Sequence, residues 1–182
     1  MQYRHFFLFL VFPLVCSATS IVRLSLEETV AQAEWIVSGD VVRTWCGWET
    51  GHRLIWTHTE IAVRERWKGV GGATITVSEP GGVIGDIAMA IAGMVRYSPG
   101  EHVVVFLYRT PIGFIRTVGL AQGKLMVDGR GLVHPSIADA PVDSLTGAAQ
   151  TGTSIGELEG STMSAVHDRI SRMTAPAKAV RK

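Results

Sequence analysis

The chain has 182 residues, 47% of them apolar, with 17 Lys and Arg against 16 Asp and Glu. That balance supplies no basic field to draw in nucleic acid and no acidic excess of the kind that keeps a chain unfolded in solution. The length supports one domain with a sizeable core.

The N-terminus is read first because it sets the compartment. Arg4 and His5 precede the apolar run "FFLFLVFPLV" from Phe6 to Val15, and small residues follow in "CSATS". A basic start, a short apolar stretch and a small-residue exit predict a secretory signal peptide over residues 1–20, with a mature chain that begins between Ala18 and Ile21. The run is too short for the about 20 residues a membrane-spanning helix needs, so the exported chain is expected to have no transmembrane segment. Cys16 offers a lipid-anchored start as the alternative, against which stands Val15, where a small residue is required. Secreted or periplasmic localisation is the main expectation. Loss of the leader removes Arg4 and no acid, leaving 16 basic and 16 acidic residues. Cys46 is then alone, so no internal disulfide is expected and the core must hold the fold.

After the leader, "LSLEETVAQAEW" carries Ser25 and Glu28 at the spacing of a capping box, with Leu26, Val30 and Ala33 on one stripe, and predicts a short helix. Strand periodicity follows. "WIVSGDVVRTWCGW" alternates over 36–45, with Gly39 marking a bulge or bend. In "HRLIWTHTEIAVRERWKGV", Ile55, Thr57, Thr59, Ile61, Val63 and Trp67 share one parity, while Trp56, His58, Glu60, Arg64 and Arg66 share the other. One packed and one solvated face predict a long strand over 54–67. Further strands are expected at 73–77, 102–108, 113–118 and 124–127, the one in "HVVVFLY" being apolar on both parities and therefore buried on both faces. "VIGDIAMAIAGMV" between them reads as a covering loop or irregular helix. Beyond Asp128 the Gly-, Pro- and Ser-rich stretch predicts an irregular segment and a C-terminal helix over 129–172, capped by Ser154 with Glu157 and packed on the rest. Residues 173–182 read as a disordered tail. The fold class expected is mainly β: residues 21–128 form a five- to six-stranded barrel of the oligonucleotide/oligosaccharide-binding type, with an N-terminal and a C-terminal helix.

The ordered set "AQAEWIVSGDVV", "WTHTEIAVRERWKG", "ITVSEPGG", "YSPGEHVVVFLY" and "TVGLAQGKLMV" resembles an uncharacterised family of exported bacterial proteins. More remotely it is similar to the netrin-like domain of tissue metalloproteinase inhibitors, itself a barrel of this type. The likeness implies the fold. Those inhibitors approach the protease metal through a cysteine at the mature N-terminus, and here the first cysteine after the leader is Cys46, so the inhibitory mechanism has no residue to carry it.

The chain offers no compact catalytic set. His52 and His58 lack metal-ligand spacing with each other or with His102, His134 and His167, and no metal or cofactor is expected. Ser78, Ser98 and Ser136 lie outside any nucleophile elbow, and Asp40 and Glu60 show no dry cleft that would make them an acid–base pair. The clusters "GVGG", "PGG" and "GRG" lack the continuation of a phosphate loop. Trp45, Trp48 and Trp56, gathered on two successive strands and the turn between them, are the strongest lead. With His58 they are the candidate binding residues, on an outward-facing aromatic patch suited to a protein or a cell-envelope component. The leading expectation is therefore a noncatalytic exported binding module. The enzyme alternative is a small hydrolase or thiol enzyme using Cys46 with His52 or His58. The third is a single-stranded nucleic acid binding barrel with Arg43, Arg64 and Arg66 beside the tryptophans, although neutrality and export argue against nucleic acid.

Overall fold

The computed structural model describes residues 23–51, 53–136 and 155–175. The expected leader and its cleavage interval, His52, the Ser154 cap and residues 176–182 lie outside the described residues.

Ser25 starts the first helix, α1 (Leu26–Gln32), by the capping box expected of it: its hydroxyl accepts from the Glu28 N–H at 3.1 Å, while the Ser25 N–H donates to the Glu28 carboxylate at 2.8 Å. Among the described residues nine strands follow: β1 (Trp35–Trp48), β2 (Ile55–Lys68), β3 (Thr74–Pro80), β4 (Gly82–Ile84), β5 (Ile87–Met89), β6 (His102–Arg109), β7 (Ile115–Thr117), β8 (Lys124–Val127) and β9 (Val133–Pro135); α2 (Met163–Thr174) closes the described chain. The main sheet is antiparallel, in the order β3-β2-β1-β6-β8-β9, with β7 also paired to β6. The first half of β6 pairs with β8 and the second half with β7. β6 is therefore a hub from which the sheet forks.

The continuous apolar run of β6 is explained by two cores, one on each face. Val103, Val105 and Leu107 join Val37, Val41, Ile61, Ile75 and Val77 on the concave side. Val104 and Phe106 join Ile36, Leu125 and the apolar stripes of α1 and α2 on the convex side, where Leu26, Val30, Val166 and Ile170 are all buried. Burying a Val, Leu or Phe side chain is worth about 1.5–3 kcal/mol, so a strand sandwiched between both cores anchors the whole.

Three register shifts interrupt the β1–β2 ladder, leaving Trp67 and Arg64 of β2 and Val42 of β1 without a direct partner. Gly39 lies at one of them, where an added Cβ would stand 2.8 Å from Cγ2 of Ile61. These bulges correct the expected parity of β2. Trp67 was expected to share the face of Ile61 and Val63, yet it packs against the helix-side core. Arg66, expected on the polar face, sits opposite Val37 instead. An extra residue flips every side chain beyond it.

The curled sheet is not closed by a backbone ladder: among the described residues no pairing joins β3 to β7. The contact is made by the side chain of Glu79. Two further expectations need correction. The segment expected as a covering loop or irregular helix contains the β4–β5 hairpin. The C-terminal helix starts not near Ser154 but after Thr162, whose hydroxyl accepts from the Ala165 N–H at 3.2 Å; Ile155–Leu158 is a 3-10 turn, and Gly160, at φ +71, turns the chain before the helix. Helix α2 runs to Thr174, two residues into the stretch read as a tail.

His134 of β9 clamps this turn. Its Nδ1 meets the Glu159 carboxylate and its Nε2 meets Asp128 at 3.3 Å. Glu159 first and Asp128 second raise the imidazole above its ordinary 6.5.

Two tests follow from the packing. Ile61 is fully buried whereas Glu60 is partly exposed in an ion pair with Arg43; Ile61→Asp should cost more than about 4 kcal/mol and prevent folding, while Glu60→Ala should cost at most about 1 kcal/mol in a thermal melt. Equal tolerance of both would contradict the face assignment. For His134, a raised native value means that its contribution is fully present below 6.5 and is lost as pH rises through that native value. The protection factor of the Gly160 amide, which donates to the Val133 carbonyl at 2.9 Å, should fall over that rise in the wild type and stay flat in His134→Gln.

Candidate recognition surface

The long β1–β2 hairpin places the candidate residues by simple alternation. Trp45 lies opposite His58 and Trp56 opposite Gly47, so all three side chains emerge on the convex face. There they form a row. The Trp45 and His58 rings are 5.4 Å apart, His58 and Phe114 are 5.9 Å apart, and Phe114 and Trp56 are 4.5 Å apart. Phe114 comes from the β6–β7 turn and reaches across β3 to join them. Nothing in the sequence marks its contribution, and it corrects one expectation: Trp56 stands on the outward parity but is only 6% exposed, because Phe114 covers it. Trp45 is the exposed member at 39%, with the Arg43 guanidinium 4.8 Å above its ring. Trp48, opposite Ile55 near the hairpin turn, is half-buried on the other parity. His58 is held by Ser78 at 2.8 Å, and burial lowers its pKa; it takes part in the row as a neutral ring.

Beside this row the seam between β3 and β7 opens into a slot of about 470 Å³, lined on one side by Thr74, Thr76 and Ser78 and on the other by Gly113, Phe114 and Ile115. Trp35, Arg66 and Arg109 stand at its far end. The Arg109 guanidinium lies 5.1 Å from the Trp35 ring, and the Trp35 indole N–H donates to the Val70 carbonyl at 2.9 Å.

The seam closes at Glu79. One of its carboxylate oxygens accepts from the Thr117 N–H of β7 at 2.6 Å, the other from Arg116 Nε at 3.0 Å. Glu79 is 4% exposed; burial raises its carboxyl above the usual range, against the pull of the Thr117 amide and Arg116. The network extends inward. The Thr117 hydroxyl bonds the Tyr97 hydroxyl at 2.7 Å, burial pushes that phenol up, and buried Lys124 sits 4.8 Å over the Tyr97 ring while donating to Glu101 and to the Arg96 carbonyl, each at 2.6 Å. A second cavity of about 520 Å³ lies beside Glu79, under the 81–98 segment, and Cys46, Thr57 and Thr59 reach it from the hairpin.

The remaining candidates are dispersed. Cys46 contacts the Thr57 hydroxyl at 3.4 Å on the concave side, whereas His58, opposite Trp45, points to the convex side, so the two do not meet. Asp40 and Glu60 are each taken by an arginine, Arg64 at 2.6 Å and Arg43 at 2.7 Å. Burial works to raise the Asp40 carboxyl, but the bonds from Arg64 and His102 outweigh it and hold it below the usual range. The three arginines of the nucleic acid alternative are therefore divided between two ion pairs and the slot. His167 packs on Trp67 at 5.0 Å. Among the described residues no group of three His, Cys, Asp or Glu is placed to hold a metal.

One constellation escaped the sequence. His102 of β6 meets Asp40 through Nδ1 at 2.9 Å and the Ser38 hydroxyl through Nε2 at 3.1 Å, an order of contacts that serves acyl transfer elsewhere. Register alone creates it, since Asp40 faces His102 and Ser38 faces Val104 in the β1–β6 ladder. Ser38 is fully buried, however, with Sδ of Met163 from α2 at 3.7 Å from its hydroxyl. A nucleophile sealed under a helix meets no substrate, and the set is a structural tie between β1, β6 and α2.

The folded protein should therefore gain no adduct at Ser38 when treated with a fluorophosphonate and analysed by peptide mass, and Ser38→Ala should lower stability by about 1–3 kcal/mol through the partner left at His102. Labelling of native Ser38 would contradict this assignment. In comparison with known proteins, no family model, no curated protein and no solved structure matches this chain.

Proposed function

We propose that the protein is a noncatalytic exported binding module that recognises a protein or a cell-envelope component through the convex face of its β1–β2 hairpin. The observation that carries this reading is the continuous row Trp45, His58, Phe114 and Trp56, assembled from three separate segments and ending in an exposed, cation-capped tryptophan. Rigid aromatic rings with a guanidinium beside them are the side chains that dominate recognition surfaces, because they offer large contact area at low entropic cost. The reading includes a barrel of the oligonucleotide/oligosaccharide-binding, netrin-like type. The order β3-β2-β1-β6-β7 and the meeting of β3 with β7 at Glu79 support it. Export rests on the leader "FFLFLVFPLV" and its flanks. The separation of Cys46 from His58 weighs against that thiol pair, and the burial of Ser38 weighs against a serine enzyme.

The surface separates recognition from folding. Trp45→Ala should leave the melt within about 1 kcal/mol of the wild type, yet weaken capture of the partner from envelope extract at least tenfold, the loss of a hot spot. Trp56→Ala, by contrast, should cost about 3–5 kcal/mol of stability because it empties a packed site. An unchanged set of captured partners with folded Trp45→Ala would overturn the recognition surface.

A further inference from the structure

We propose that the slot between β3 and β7 takes an extended segment of a partner polypeptide, added as a strand along the edge of β3 and anchored by a carboxylate side chain on Arg66. This deepens the binding-module reading and rests on it.

The backbone pattern of β3 comes first. The Gly81 N–H donates to the Ile55 carbonyl and the Ala73 carbonyl accepts from Val63, so the odd residues from 73 to 81 turn their backbone groups toward β2. The β2–β3 register is unbroken over the strand. The N–H and C=O groups of Thr74 and Thr76 therefore point the other way, into the slot, where β3 is the edge of the sheet and has no strand partner among the described residues. Such an edge is a template for an added strand, with main-chain bonds supplying affinity and flanking pockets supplying selectivity. Glu79 ties β3 to β7 only at the Thr117 end, leaving the seam open from Ser78 toward Thr74.

A second observation says what that segment carries. Nη2 of Arg66 donates to the Gly72 carbonyl at 2.8 Å, but Nη1 is enclosed and has no hydrogen-bond partner among the described residues. A buried donor left unmade is costly, and a charged one more so. Among the described residues, Arg66 and Arg109 are the charged ones lining the slot, and no Asp or Glu lines it. A carboxylate is the group that satisfies a guanidinium in such a place, by charge-assisted bonds. Val70, 86% exposed beside Gly71 and Gly72 of the lining, offers an apolar contact next to that anchor. The slot volume of about 470 Å³ falls in the range of ligand clefts.

The test is selection of a phage-displayed random heptapeptide library on the folded protein recovered from cells expressing the full chain. Enriched peptides should share one Asp or Glu among β-branched residues, and should perturb the ¹⁵N amide signals of Thr74 and Thr76. Their binding should fall at least tenfold on Arg66→Gln. It should also fall on Thr76→Pro, which removes an N–H that the β2–β3 ladder does not use. N-methylation of the peptide amides that face β3 gives the same readout without altering the protein. Failure to enrich peptides, enrichment without an acidic residue, or equal binding by Arg66→Gln and by N-methylated peptides would overturn the slot. Peptides lost on Trp45→Ala but indifferent to Arg66→Gln would overturn it while leaving the aromatic recognition surface standing. Failure of the broader reading is seen separately, in the absence of any envelope partner that depends on Trp45.

Discussion

The Glu79 carboxylate joins β3, an edge of the curled sheet, to β7, the short branch paired to β6. β3 and β7 come together without a backbone ladder, and the Thr117 amide that would have served such a ladder donates to Glu79 instead. Burying a carboxylate is expensive, and the cost is offset here because both oxygens are engaged, one by an amide and one by Arg116. Removing one partner of such a buried group costs about 3–5 kcal/mol, since the other is left uncompensated. A side-chain tie also differs from a ladder in reach. It fixes the seam at one point and leaves the remainder of the β3 edge open.

From that tie follows the place of Phe114 on the convex face. With β7 held beside β3, the β6–β7 turn crosses the edge and sets Phe114 on Trp56 and His58. Were the seam free to spread, Trp56 would be uncovered and the aromatic row broken in its middle. The concave side is organised by the same contact. Thr117, Tyr97 and Lys124 continue the polar chain from Glu79 toward the interior, while the apolar core of Val37, Ile61, Val77 and Leu107 fills the space beyond. β6 carries load from both cores, which is why its sequence is apolar at every position from Val103 to Leu107.

Much of this was legible in the residues wherever the signal was local. The capping box of Ser25 and Glu28, the two-residue alternation of the hairpin and the unbroken apolar run of β6 each have a short-range cause. The mainly β architecture with two helices emerged from them. What was not legible depends on partners distant in the chain. The parity of β2 holds from Ile55 to Val63 and then inverts, because bulges are decided by how two strands meet and leave little mark on either alone. Trp56 reads as outward-facing, as its parity is, but the residue that buries it lies 58 positions later. The contact of Ser38, Asp40 and His102 arises from the β1–β6 register, and the role of Glu79 from a strand pair that never forms. The strand expected at 73–77 stops short of Glu79, and nothing in "SEPGG" announces a buried carboxylate.

The aromatic row on the convex face, and with it the proposed recognition, therefore depends on a seam closed by chemistry rather than by pairing. The measurement that bears on it most directly is amide hydrogen exchange at Thr117 and Val118, followed by NMR in the wild type and in Glu79→Ala. Val118 donates to the Phe106 carbonyl at 2.9 Å, whereas Thr117 donates to Glu79 alone. The account predicts that both amides are protected in the wild type, and that the substitution speeds exchange at Thr117 by at least an order of magnitude more than at Val118. Rapid exchange of Thr117 in the wild type, or equal protection of Thr117 in the two proteins, would contradict it.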